Sequence, residues 1–112
     1  MTATTHGRGQ VGEFSCAVRA DGTVDAMRFH IVADIGAYPM AAGLPNLTGM
    51  MAVGVYKIPV IDGTIDCVYT NTTPVAAYRG AGRPEAAFYV ERMMDAVADE
   101  LGLDPAEVRR VN

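Results

Sequence analysis

Apolar and polar positions alternate near the start of the chain, with Gly12, Phe14, Cys16 and Val18 on one side and Glu13, Ser15, Ala17 and Arg19 on the other. Period-two alternation puts successive side chains on opposite faces of an extended backbone, so this stretch predicts a half-buried strand. Asp21-Gly22 then supplies two residues that tolerate positive φ, which predicts a two-residue hairpin turn. The alternation resumes with Met27, Phe29 and Ile31 opposite Arg28 and His30, and residues 9–35 read as one long antiparallel hairpin. Residues 36–60 are less regular. Gly43-Leu44-Pro45-Asn46 reads as a turn, Leu47 to Val53 as a short helix, and Tyr56-Lys57-Ile58-Pro59 as extended ahead of its proline. Asp62-Gly63 marks another turn, and the β-branched run from Ile65 to Thr72 predicts a strand that ends at Pro74.

Beyond residue 83 the period lengthens to that of a helix. Ala86, Val90, Met93, Met94, Val97 and Leu101 form one apolar stripe, Pro84 occupies the first turn, Glu85 sets negative charge near the positive end of the helix dipole, and Gly102 suits the C-terminal cap. Asp104-Pro105-Ala106-Glu107 repeats the start signal, with Asp104 as N-cap and Glu107 completing a capping box. That second helix is expected to run barely two turns and to leave Val108 with little to cover it, so the chain reads as a piece of something longer. The fold class is α+β: antiparallel strands from 9–35 and 63–73 form one layer, the 84–101 helix packs on it, and residues 1–112 make a single partial domain. An incompletely covered methionine-rich stripe predicts an oligomer.

Composition narrows the function classes. With 50% apolar and 20% charged residues the chain is neither disordered nor fibrous. A net charge of −4 with no basic stripe argues against a nucleic-acid surface, and no apolar run is long enough for a membrane span. Cys16 and Cys67 lack metal-ligand spacing and no charged-then-apolar leader is present, so a cytoplasmic location is expected. Seven methionines without tryptophan fit an adaptable core or a buried contact surface.

The candidate chemistry lies in Ala77-Tyr78-Arg79-Gly80-Ala81-Gly82-Arg83-Pro84-Glu85. Two glycines let the backbone take positive φ or lie against a ligand, and two arginines offer planar, permanently charged forks for oxyanions. Two accounts stand at this point: an anion-binding loop ahead of a helix N-terminus, or a tight turn whose arginines are solvated or paired with Glu85 and Glu91. Glu85 and Glu91 themselves have arginine neighbours and read as ion-paired or solvated rather than catalytic. His6 and His30 are too isolated to form a metal pair, His30 lies on the polar face of a strand, and Cys67 reads as a small core residue.

Several segments together carry a family resemblance. Ala33-Asp34-Ile35-Gly36-Ala37-Tyr38, Tyr56-Lys57-Ile58-Pro59, Tyr69-Thr70-Asn71-Thr72, the loop from Ala77 to Ala86, Glu91-Arg92-Met93-Met94-Asp95 and Asp104 to Arg110 resemble, in order and spacing, the large subunits of molybdenum hydroxylases. Xanthine dehydrogenases, aldehyde oxidases and carbon monoxide dehydrogenases make up that family. The resemblance implies a segment of the molybdopterin-binding domain of a much longer subunit, with molybdenum–molybdopterin as cofactor and iron–sulfur clusters and FAD on other domains or subunits. It also implies Arg79, Gly80 and Gly82 on the cofactor side and Ala81 and Leu47 lining the substrate pocket, with no metal ligand in this segment. The implied partners are the remainder of the large subunit, iron–sulfur and flavin subunits, and a small-molecule substrate.

Departures from the family pattern narrow the substrate. Gly80 stands where carbon monoxide dehydrogenases proper place a copper-binding cysteine. Ala81 replaces the stacking aromatic of purine hydroxylases, and Leu47 replaces their arginine. Hydroxylation of aldehyde or N-heterocycle carbons therefore fits best, and Ala-Tyr-Arg-Gly-Ala-Gly-Arg is similar to the second form of carbon monoxide dehydrogenase-like subunits. The family's glutamate base and its pterin-phosphate segments have no counterpart here, so the isolated chain is expected to be inactive. A small anion-binding or assembly module without catalysis is the alternative.

Overall fold

In the computed structural model, which describes residues 5–112, the alternating segments form the hairpin expected of them. Strand β1 (Gln10–Val18) pairs antiparallel with β2 (Val24–Gly36), and the register puts Phe14 opposite Phe29 and Cys16 opposite Met27. Only Gly22 of the turn pair takes positive φ, at 86°. The connection is therefore wider than a two-residue turn. Arg19 and Thr23 close it through Arg19 N–H to Thr23 O at 2.9 Å, Gly22 N–H returns to Arg19 O, and the Asp21 carboxylate accepts the Thr23 amide. A glycine in the left-handed region is what a three-residue hairpin loop requires, and the bulge between Ala17 and Val18 absorbs the extra residue.

Strand β3 (Val60–Tyr69) completes a sheet of order β1-β2-β3, but it runs parallel to β2. This corrects the expectation of an all-antiparallel layer over 9–35 and 63–73, while the α+β class stands. The segment from 37 to 59, with helix α1 (Leu44–Met50) inside it, returns the chain to the end of the sheet where β2 begins. Asp62-Gly63 is not a turn. Gly63 faces Phe29 across the strands, and a Cβ at this position would overlap the Phe29 ring. The glycine is there to accept an aromatic lid. Helix α1 likewise begins earlier than expected, at Leu44, because Pro45 is tolerated in a first turn where its missing N–H costs nothing.

Helix α2 (Arg83–Leu101) matches its sequence pattern; Ala86 is buried, and Val90, Met93, Met94 and Val97 join the hairpin's core cluster. Gly102, at φ 65°, ends it. Helix α3 (Pro105–Val111) is capped by Asp104, whose carboxylate accepts from Ala106 N–H at 2.8 Å. The reciprocal half of the capping box does not form, since Glu107 instead pairs with Arg110 one turn on. Val108 is fully buried, contrary to expectation: Gly22 at the hairpin tip sits so close that a Cβ there would come within 3.3 Å of Val108 and 3.1 Å of Leu103. Asn112 seals the junction. Its amide oxygen accepts Val24 N–H at 2.7 Å, and its amide nitrogen donates to Gly22 O and Val108 O, both at 2.8 Å.

Candidate functional site

The loop between β3 and α2 is built on consecutive left-handed residues, with φ of 95°, 46° and 90° at Gly80, Ala81 and Gly82. Two of these are glycine for a reason the packing shows. A Cβ on Gly80 would sit 2.5 Å from the Pro84 ring, and one on Gly82 would sit 2.9 Å from Leu44 O and from Thr48 N. The loop thus folds back over the start of α2 and rests on α1, which brings Gly82 against Leu47: the same added Cβ would lie 3.1 Å from the Leu47 Cβ. Leu47 thus meets the loop of Arg79 to Gly82 at Gly82, more than thirty residues further along the chain.

The loop closes through Ala81 N–H to Tyr78 O at 2.9 Å and Arg83 N–H to Gly80 O at 3.2 Å. Among the described residues the Gly80 and Gly82 amides find no backbone acceptor, and no side chain engages the Arg79 guanidinium. Glu85 is taken by Arg8, at 3.0 Å, and Glu91 by Arg109, at 2.8 Å. The reading in which the loop arginines pair with these two carboxylates is therefore not what forms. A free guanidinium, bare glycine backbone and unengaged amides make a donor set suited to an anionic, oxygen-rich group. The space beside Ala81 in this chain is small: a cavity of about 10 Å³, bordered by Gly9, Gln10, Asp34, Pro45 and Glu85 as well as Ala81, is the size of one water. The Gln10 side-chain oxygen is buried without a partner while its nitrogen donates to Thr48.

A second polar cluster holds the approach to the loop. The Asp34 carboxylate accepts Gly36 N–H and Thr70 Oγ1 at 2.7 Å each and Thr72 Oγ1 at 3.1 Å. These bonds hold its carboxyl below the usual carboxylate range, the Thr70 hydroxyl most of all. Gly36 has φ of 72°, and a Cβ on it would lie 2.6 Å from Pro74 Cα. The Asp34-x-Gly36 segment, read from the sequence only through resemblance, thus has a mechanical role: it pins the exit of β3 against the end of β2.

Other candidates resolve into structure. His30 lies on the outer face of the sheet, 2.7 Å from Asp66. His6 joins Val75 in an isolated bridge through its backbone. Cys67 is exposed on the edge strand, which corrects its assignment to the core; with no strand beyond β3 among the described residues, an inward-facing position there lacks cover. Half-buried Cys16 has its thiol pushed up by burial. Among the described residues no group of three or more histidine, cysteine or acidic side chains could hold a metal ion, and no helix is long and apolar enough to cross a membrane. A groove of about 610 Å³ runs along β1 and α2 past Phe14, Cys16, Phe88 and Tyr89. Sequence reasoning missed Arg8 altogether; its one signal was an arginine between two glycines, Gly7 and Gly9.

The chain belongs to the molybdopterin cofactor-binding domain family, whose profile matches residues 1–112. It is 39% identical over 114 residues to the gamma subunit of the 6-hydroxypseudooxynicotine dehydrogenase complex of Paenarthrobacter nicotinovorans, covering 100% of this chain and 14% of that protein. The aldehyde oxidoreductase of Megalodesulfovibrio gigas is 39% identical over 97 residues, covering 86% of this chain and 11% of that one. Among solved structures, quinoline 2-oxidoreductase from Pseudomonas putida 86 superposes with a TM-score of 0.90 at 34% identity over 96% of this chain and 14% of its own. The chain thus spans about a seventh of the length of these relatives. They are molybdenum hydroxylase oxidoreductases, and the family's cofactor is molybdopterin.

Proposed function

We propose that this chain contributes one wall of the cofactor and substrate site of a molybdenum-dependent oxidoreductase that hydroxylates aldehyde or N-heterocycle carbons. Arg79, Gly80 and Gly82 face the cofactor in this reading, and Ala81 and Leu47 face the substrate. The observation that carries it is the Arg79 head, without a partner among the described residues, on a left-handed glycine loop packed against Leu47. The donor set fits the anionic molybdenum–molybdopterin group, which when bound supplies oxygen transfer to carbon and takes up two electrons. Arg79 would hold and orient that group by charge and directed N–H bonds, while Gly80 and Gly82 let it approach the backbone closely.

The chain's own carboxylates support inactivity in isolation. Glu85, Glu91, Asp34 and Asp95 are each engaged by arginine or by hydroxyl and amide donors, so none is free as a general base. Turnover then needs the remainder of a large subunit, with iron–sulfur and flavin subunits to carry the electrons away. Gly80 offers no sulfur for copper, and Ala81 offers no ring to stack on a purine. The relatives named an aldehyde oxidoreductase, a quinoline 2-oxidoreductase and a 6-hydroxypseudooxynicotine dehydrogenase subunit are in keeping with these substrate classes, although carbon monoxide and xanthine dehydrogenase subunits match as well.

The test is made in the complete enzyme. Arg79→Ala is expected to lower molybdenum content or turnover several-fold with the melting temperature nearly unchanged, because an exposed loop arginine adds little to the core. Ala81→Phe is expected to shift the rate ratio toward flat heteroaromatic substrates and away from branched aldehydes. If neither molybdenum content nor rate ratio moves, the loop does not face the cofactor. Retained binding of inorganic phosphate by such an enzyme would then favour a plain anion site.

A further inference from the structure

Arg8 makes three separate contacts to the loop region from the opposite end of the chain. One guanidinium nitrogen donates to Glu85 Oε2 at 3.0 Å, another donates to the backbone carbonyl of Arg79 at 2.9 Å, and the guanidinium carbon lies 5.1 Å from the centre of the Tyr78 ring. A single planar cation thereby ties the first turn of α2, the backbone of the loop and its aromatic shoulder. The segment around it is laid alongside the loop's approach, with His6 N–H donating to Pro74 O and Ala76 N–H donating to His6 O. Gly7 allows the contact, since a Cβ there would come 2.9 Å from the Tyr78 Cβ.

The backbone of Arg8 is itself unusual, at φ 64°. For a residue with a long side chain the left-handed region is unfavourable and persists only where surroundings over-determine it. Glycine stands on either side and could have taken the strained position. The side chain, anchored at three points, is what holds the strain at Arg8. The ion pair is also half-sheltered: the Glu85 side chain is 13% exposed and that of Arg8 36%.

We propose that Arg8 is the positioning residue of the Tyr78–Gly82 loop, fixing the Arg79 backbone by its carbonyl so that the Arg79 guanidinium stays free to meet an anion. Its own charge is neutralised by Glu85, so it positions without competing for the ligand. The proposal rests on the cofactor-side reading of Arg79 given above for its functional meaning, and on the Arg8 contacts alone for its mechanical part.

The two parts separate experimentally. Trypsin cleavage at the Arg79–Gly80 bond and hydrogen exchange of the Ala81 amide report on the loop, while molybdenum content reports on the cofactor. In the complete enzyme, Arg8→Ala is expected to speed cleavage and exchange at the loop at least tenfold with a melting shift of a few degrees, and to lower molybdenum content as Arg79→Ala does. Arg8→Gly removes the strain and the clamp together. It is expected to melt no lower than Arg8→Ala yet cleave as fast. Arg8→Lys and Glu85→Gln, each keeping part of the clamp, are expected to fall between parent and Arg8→Ala, and they serve if Arg8→Ala does not fold. Parent-like protection in Arg8→Ala, or its recovery in Arg8→Gly, overturns the positioning role. Full molybdenum content in Arg79→Ala with a loosened loop in Arg8→Ala keeps the positioning role and defeats only the cofactor reading.

Discussion

The two flanks of β2 carry similar apolar sequences and end in opposite states. On the β1 side α2 packs over the sheet, and Phe14, Cys16 and Val18 are partly buried against the core that Val90, Met93, Met94 and Val97 of the helix complete. On the β3 side only Ile65 is half-covered, while Val60, Ile61 and Tyr69 remain 57%, 46% and 67% exposed. Burial is thus a property of the partner rather than of the strand. Exposed apolar area of this kind is typical of contact surfaces, and the relatives are about seven times longer than this chain.

Truncation of one side chain on each flank gives the widest contrast. Met94→Ala should cost about 3 kcal/mol in urea unfolding, since it removes a fully buried side chain and leaves a cavity. Ile61→Ala should cost less than about 1 kcal/mol because half its surface is already wet. Equal costs would mean that β3 is covered in solution. Gly63→Val comes next, at roughly 2 kcal/mol, because the new side chain must displace the Phe29 ring. A neutral result would show that β3 can swing away from β2 without loss.

Polar contacts sharpen the contrast through pH. On the packed flank Tyr56 donates to Glu91 at 2.7 Å, and burial together with that carboxylate pushes its phenol up to about 12. A raised folded pKa adds stability that is complete below the unfolded value of about 10 and is lost as pH climbs through the folded one. Tyr56→Phe should cost about 1 kcal/mol at neutral pH and flatten the stability profile between pH 10 and 12. At the β3 corner Asp34 is held low, chiefly by Thr70. Depression has the opposite sense: its contribution is present above about pH 4 and disappears as pH falls through the lowered value. Asp34→Asn should therefore reduce the acid slope below pH 4 without abolishing it. Asp95, also depressed and chiefly by its bond to Arg109, supplies part of the same slope. An unchanged acid arm would mean the corner is already open in solution.

The same division governed what could be read from sequence. Helix α2 was legible to within a residue because its stripe, proline and terminal glycine are local signals that agree. The hairpin was legible for the same reason. The direction of β3 was not, since no local pattern records where a 23-residue connection returns the chain, and Gly63 mimicked a turn while serving Phe29 across the sheet. At the candidate site the loop residues were readable as a motif, and their meeting with Leu47 came through resemblance. Arg8 was unreadable. Its role depends on Glu85, Tyr78 and Arg79, seventy or more residues away along the chain.

Separation of that order also sets a timetable for synthesis. Asn112 supplies the partner for the Val24 amide across 88 residues and for the Gly22 carbonyl across 90. On a ribosome the hairpin tip is made early and must wait, its polar groups hydrated, until residue 112 clears the exit tunnel. The strands can zip together while the chain is still growing, yet their tip stays provisional throughout. A nascent chain stalled before Asn112 would therefore present a formed β-ribbon with an open end, the state in which a chaperone or a wrong strand would find it most receptive.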